Sequence, residues 1–184
     1  MTWISGGRGC FAIVPVDLVT TGGFMVSLDF LEKVEVFKDF NDNQLSALQK
    51  CGSVLEFQRG DRLFAEGEDS KHLWIVEEGQ VGLRFDTQEG RTSEKDKVSF
   101  ISELQTFGWS CFVPPNTYSL SGYCESRQCK VVAMEKEKLI KLFEDDSEIG
   151  YGVMFYLVCV VGSHFHRFQD ELAKQMGHDI MSNW

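Results

Sequence analysis

The 184-residue chain contains no unbroken apolar run of membrane length: the longest, Val153 to Val161, covers nine residues, about half of the ~18 that a bilayer span requires. Positive charge is also scarce. Lys and Arg total 18 against 28 Asp and Glu, a formal net charge of −10, and such a field repels phosphate backbones and anionic lipid. Neither nucleic acid nor a membrane is therefore an expected partner. Of four histidines, only His72 falls in the β-rich middle, while His164, His166 and His178 lie near the end. The His-x-His pair with Glu and a later His that barrel metal enzymes use is absent. There is no Walker-type loop and no evident Ser-His-Asp set, so catalysis is not expected, and no metal or cofactor is assigned.

Six cysteines are present (Cys10, Cys51, Cys111, Cys124, Cys129, Cys159), none in a CxxC pair. In a chain of this size they read as reduced thiols and a cytoplasmic location is expected. The Cys124 and Cys129 spacing could suit a metal, but no further ligands cluster near it, and a pair of strand residues is the simpler expectation.

What is there indicates one domain with a single core. Residues 1–24 lack the charge and periodicity of the rest, and Pro15 and Asp17 interrupt the apolar stretch that a secretory signal would need. They are expected to be an unstructured or mis-started leader, followed by a domain over 25–176 and a short tail over 177–184. Leu28, Leu31, Val34 and Phe37 recur at spacing three and predict a first helix. Asn41 with Gln44 three positions on predicts a capped second helix, with Gly52 as its stop.

From Val54 to Met134 the pattern becomes short β-branched and aromatic runs punctuated by Gly and Asp. Strands are expected at Val54–Gln58, Arg62–Ala65, Leu73–Val76, Val81–Asp86, Val98–Ile101, Tyr118–Cys124 and Lys130–Met134. Turns are expected at Gly60-Asp61, Gly67-Glu68-Asp69, Glu78-Gly79 and Glu89-Gly90. The fold class is mainly β with flanking helices, a double-stranded β-helix or jelly roll with N-terminal helices and a long C-terminal helix. Lys136 to Phe143 predicts a short helix, and Asp145 or Asp146 a cap for a long one. Along that helix Ile149, Val153, Leu157, Val160, His164, Phe168 and Leu172 form an apolar stripe, while Val153 to Val161 is apolar all round. Such a segment needs cover on more than one side, which predicts a homodimer.

The runs Gly60-Asp61-Arg62-Leu63-Phe64-Ala65-Glu66-Gly67-Glu68 and Leu73-Trp74-Ile75-Val76-Glu77-Glu78-Gly79-Gln80-Val81, followed by Phe107-Gly108, resemble the cyclic nucleotide-binding domain family. The likeness extends over Leu28 to Leu172. It implies a ligand cassette of Phe-Gly-Glu and then Arg-Ala or Arg-Ser, in which Glu holds the ribose 2′-hydroxyl and Arg neutralises the cyclic phosphate. Here the segment reads Phe107, Gly108, Trp109, Ser110, Cys111, Phe112 and, after Pro114-Pro115, Tyr118, Ser119 and Leu120. Trp109 stands in place of Glu and Tyr118 near the place of Arg. Each charge-assisted hydrogen bond contributes roughly 1.5–3 kcal/mol, so losing both would weaken ordinary cAMP binding on the order of 100- to 10,000-fold. Either the two rings fill the former pocket or they line an altered site for a neutral or differently charged effector. Arg127 reads as a solvated turn charge. Family members that read DNA append a winged helix after the long helix, and about a dozen residues follow Leu172, so direct transcriptional control is not expected.

Two functional classes stay open. The first expectation is a sensor in which a cyclic nucleotide or other small-molecule effector at the cassette shifts the C-terminal helices toward an unknown downstream protein. The alternative is a ligand-free interaction module of the same fold.

Overall fold

Strand pairing sorts the β-rich segment into two layers. A computed structural model of the chain describes residues 25–85 and 97–182; the expected leader and the Glu89-Gly90 turn lie outside these residues. The strands are β1 (Gly52–Gln58), β2 (Arg62–Phe64), β3 (His72–Glu78), β4 (Val81–Arg84), β5 (Lys97–Ile101), β6 (Thr106–Phe107), β7 (Ser121–Cys124) and β8 (Gln128–Glu135). They form two antiparallel four-stranded sheets, ordered β1-β8-β3-β6 and β2-β7-β4-β5. This is the expected jelly roll, with β6 as an added eighth strand.

The first sheet is buried on both faces. Val132 pairs with Val54 and Ile75, and all three pack toward the helices. One residue away, Val131 pairs with Leu55 and Val76, and these point into the barrel. Hence β3 and β8 read as continuous apolar runs rather than alternating ones. Gly60, Gly67 and Gly79 take positive φ at the turns expected of them.

The N-terminal segment departs from the expected single helix. Only Leu28–Leu31 is helical (α1); Val34 is extended, and Glu35–Phe37 forms one 3-10 turn. A spacing of three suits both helix types, and breaking the helix lets Phe30, Leu31, Val34, Val36 and Phe37 all bury. The second helix, α2 (Asp42–Gln49), has the expected capping box: Asn41 Oδ1 accepts from the N–H groups of Asn43 and Gln44 at 3.0 and 3.1 Å, and Gln44 Oε1 accepts from Asn41 N–H at 3.1 Å. Its C-cap is Lys50, and Gly52, expected as the stop, opens β1 instead. Expected strand residues Tyr118 to Leu120 are also outside β7, because Tyr118 pairs with the Gly67-Glu68 turn through two backbone hydrogen bonds.

The chain ends in α3 (Lys136–Asp145) and α4 (Ser147–Ser182), the latter running on through most of the segment expected as a tail. Asp146 Oδ1 caps α4 by accepting from the N–H groups of Glu148 and Ile149. At Gly150 a Cβ would lie 2.9 Å from Phe143 Cβ, so glycine permits the close crossing of α3 and α4. By length and composition, Ser147–Met176 is apolar enough to cross a membrane, a property that a count of unbroken apolar runs did not show. Its first turns are nevertheless committed to the domain core through Ile149, Val153 and Leu157.

Replacing Asn41 with Ala should lower stability by about 1 kcal/mol, seen as a lower urea midpoint at unchanged m-value.

Candidate functional site

The cassette leaves β6 through Gly108, which adopts φ 77°. A Cβ there would sit 2.6 Å from Trp74 Cδ1, so both the backbone turn and the close approach to the indole require glycine. Trp109–Phe112 then makes a 3-10 turn. The structure separates Trp109 and Tyr118, the two rings that the resemblance sets against a charged pair. Trp109 is half-buried and turns outward to pack with Phe112 against the helical cluster; Phe112 lies 5.9 Å from the Phe143 ring. Only Tyr118 enters the barrel.

Inside the barrel four aromatic side chains meet. Tyr118 stacks on Phe64 with centroids 3.9 Å apart, and Phe64, Trp74 and Phe107 lie 5.8–6.2 Å from one another. The Trp74 indole Nε1–H donates to the Tyr118 hydroxyl at 2.9 Å. Both residues are buried, Trp74 completely. Burial raises the Tyr118 pKa above its usual value, an effect that the indole hydrogen bond opposes in part. Sequence reasoning placed Tyr118 and Phe107 at the site but missed Phe64 and Trp74 as their partners. Neither strand alternates in burial, with Leu63 and Phe64 both in the barrel cluster and Leu73–Val76 buried throughout, so the sequence carried no signal for which rings face inward.

The remaining cassette residues are uncharged and lie outside this cluster. Ser110 Oγ hydrogen-bonds Ser70 Oγ at 3.1 Å, and the Cys111 carbonyl accepts from Asn116 Nδ2 at 3.0 Å. Burial pushes the Cys111 thiol up to about 12. Ser119 is exposed and Leu120 half-buried. Among the described residues the buried polar side chains are Ser70, Thr106 and Ser121, and none carries charge. A charged pair absent from the expected set does exist: Arg84 Nη2 binds Glu125 Oε1 at 2.8 Å and stacks over Tyr123. It lies outside the barrel, because Val81 and Leu83 pack inward and Gly82 and Arg84 alternate with them. Gly82 makes the room, since its Cβ would fall 2.5 Å from Glu125 Oε1. Arg127 is an exposed turn residue. No cluster of three or more His, Cys, Asp or Glu suited to a metal occurs among the described residues. Cys51, Cys111, Cys124, Cys129 and Cys159 are free thiols.

The stripe expected to form a dimer divides in two. Ile149, Val153 and Leu157 are used inside this chain's own core, Val160 is half-buried, and His164 and Phe168 are exposed.

The chain belongs to the cyclic nucleotide-binding domain family, whose model matches residues 54–146. It is 27% identical over 154 residues to a CRP-like cAMP-activated global transcriptional regulator of Mycobacterium tuberculosis, covering 83% of this chain and 64% of that protein. The chain thus spans less than two thirds of the curated relatives it matches. Among solved structures, a putative cyclic nucleotide-binding protein from Geobacter metallireducens superposes with TM-score 0.65 at 22% identity, over 76% of this chain and 98% of that one. The regulatory domain of Toxoplasma gondii PKA, crystallised with cAMP, gives TM-score 0.55 at 18% identity, over 63% and 43%. These likenesses establish the fold.

Tyr118→Phe removes the acceptor of a buried indole N–H and should cost about 1–3 kcal/mol in denaturant unfolding, with no change in overall fold. The buried acids set an alkaline limit. The folded state holds the Cys111 and Tyr118 protons more tightly than the unfolded chain does. The resulting stability is complete below the ordinary thiol value of 9.0 and is lost as pH rises toward about 12. Urea midpoints should therefore fall above pH 9.0, and less steeply in Cys111→Val.

Proposed function

We propose that this chain is a regulatory module whose barrel does not admit cAMP and which signals by assembling through α4. The carrying observation is the hydrogen-bonded Trp74–Tyr118 pair, packed with Phe64 and Phe107 where an effector would lie. A cyclic phosphate entering this interior would lose its water and meet no buried cation among the described residues. Such a transfer costs far more than neutral hydrogen bonds return. The interior thus favours the ligand-independent reading over the effector sensor.

The α4 surface supports assembly. Tyr151, Val158, Phe165 and Leu172 recur at intervals of seven and are exposed, Tyr151 by 72% and Val158 by 66%. Met154, Val161 and Phe168 follow three positions behind, giving the a/d spacing of a two-stranded coiled coil. This seam is rotated away from Ile149, Val153 and Leu157, so one helix serves its own core and a second copy at once. A homodimer is the partner that a repeating self-complementary seam fits best.

The second reading, an effector sensor, is favoured by the retained backbone turn at Gly108 and by the cAMP-activated relative. Its ligand would have to be neutral and displace the Tyr118 ring.

Calorimetry and thermal shift with cAMP and cGMP decide between them. A ligand at 100 times its dissociation constant would stabilise the fold by about 2.7 kcal/mol. The expected outcome is no heat and no shift at millimolar nucleotide; saturable micromolar uptake by the native chain would overturn the closed barrel. Light scattering should give twice the monomer mass, and Val158→Glu with Phe165→Glu should give the monomer; a native monomer would overturn the seam.

A further inference from the structure

Cations are the scarce charge of this chain, and several of those described pair with a carboxylate: Lys38 with Glu35, Arg84 with Glu125, Lys130 with Glu56 and Glu78, and Lys174 with Glu171. Three lysines are gathered differently. Lys50, at the C-cap of α2, and Lys138 and Lys141, on α3, open onto one groove of about 370 Å³. Lys138 also holds Glu135 at 2.7 Å. Lys50 and Lys141 have no carboxylate oxygen within salt-bridge distance among the described residues. The floor is apolar, formed by Ala47, Leu142 and the buried Cys51. Asp145 also lines it.

We propose that this groove docks an acidic segment of a partner protein. Lysine at the C-terminus of α2 has a local explanation in the helix dipole, but that accounts for Lys50 alone and not for its convergence with two lysines from another helix. On a surface of net charge −10, an acidic chain is repelled nearly everywhere else, which makes this spot selective. Ammonium groups act as point charges rather than as planar forks, so the site reads charge and not one fixed geometry. An aliphatic side chain between the carboxylates would cover Ala47 and Leu142, a contact that a free inorganic anion cannot make. Asp145 repels a carboxylate placed beside it, which favours carboxylates seated on the lysines. The position bears on output: an occupant touching α2 and α3 together would brace the junction where Gln44 reaches Asp146, the cap of α4. The proposal is independent of whether the barrel is closed.

The test uses the full chain and a short fluorescein-labelled peptide of Glu-Glu-Leu repeats, read by anisotropy. Binding should saturate and weaken about tenfold or more in Lys50→Glu/Lys141→Glu and with a Gln-for-Glu peptide. It should also weaken as salt rises from about 50 to about 300 mM. Both lysines are exposed, so the melting temperature should hold, and Lys50→Arg/Lys141→Arg should restore affinity. Three results overturn the proposal: no saturable rise up to about 1 mM, equal binding by the Gln peptide or the charge-reversed protein, or displacement by inorganic phosphate as effective as by unlabelled peptide, which would mark a simple anion site.

Discussion

A buried indole N–H has to find an acceptor, and in this barrel the Tyr118 hydroxyl provides it at 2.9 Å. Around that bond the Phe64 ring stacks on Tyr118 and Phe107 lies flat to Trp74. Aromatic pairs contribute roughly 0.5–1.5 kcal/mol each beyond their buried area. The interior therefore derives its stability from apolar packing with one satisfied polar contact. A site that held a carboxylate and a guanidinium ready for an anion would have to satisfy both charges when empty. Here Tyr118 completes the barrel core, and Trp109 joins the helices.

The same sheet links the barrel to the helices. β3 and β8 expose one row of side chains to the aromatic interior and the next row to α4 and the N-terminal segment. Trp74 and Ile75 are neighbours in sequence yet belong to different cores. A change in packing around Trp74 thus reaches the root of α4 through one strand, without any loop in between. Cys111 lies on the helical side of the same connection, which ties the cassette turn to α4 rather than to the barrel. This arrangement joins the aromatic interior and the root of α4 through one sheet.

Local features were the most legible in the sequence. The Asn41–Gln44 capping box and the Gly60, Gly67 and Gly79 turns depend on a few consecutive residues, and the structure has them where spacing places them. The loss of the cassette charges was equally plain from Trp109 and Tyr118. Which way those rings face was not, because it depends on which face of the sheet each loop crosses. The α4 stripe shows a second limit: periodicity marks Ile149 and Phe168 as one face, but cannot say that the first is taken up internally while the second is exposed. Arg84 and Glu125, 41 residues apart, meet only through the pairing of β4 and β7.

The occupied interior is tested most directly by hydrogen exchange of the Trp74 indole N–H, followed by NMR. If the four rings form a packed core, that proton exchanges only through global unfolding, with protection matching the stability measured in urea, and cAMP leaves it unchanged. Exchange through a much smaller local opening, or a shift in protection when cAMP is added, would contradict the account.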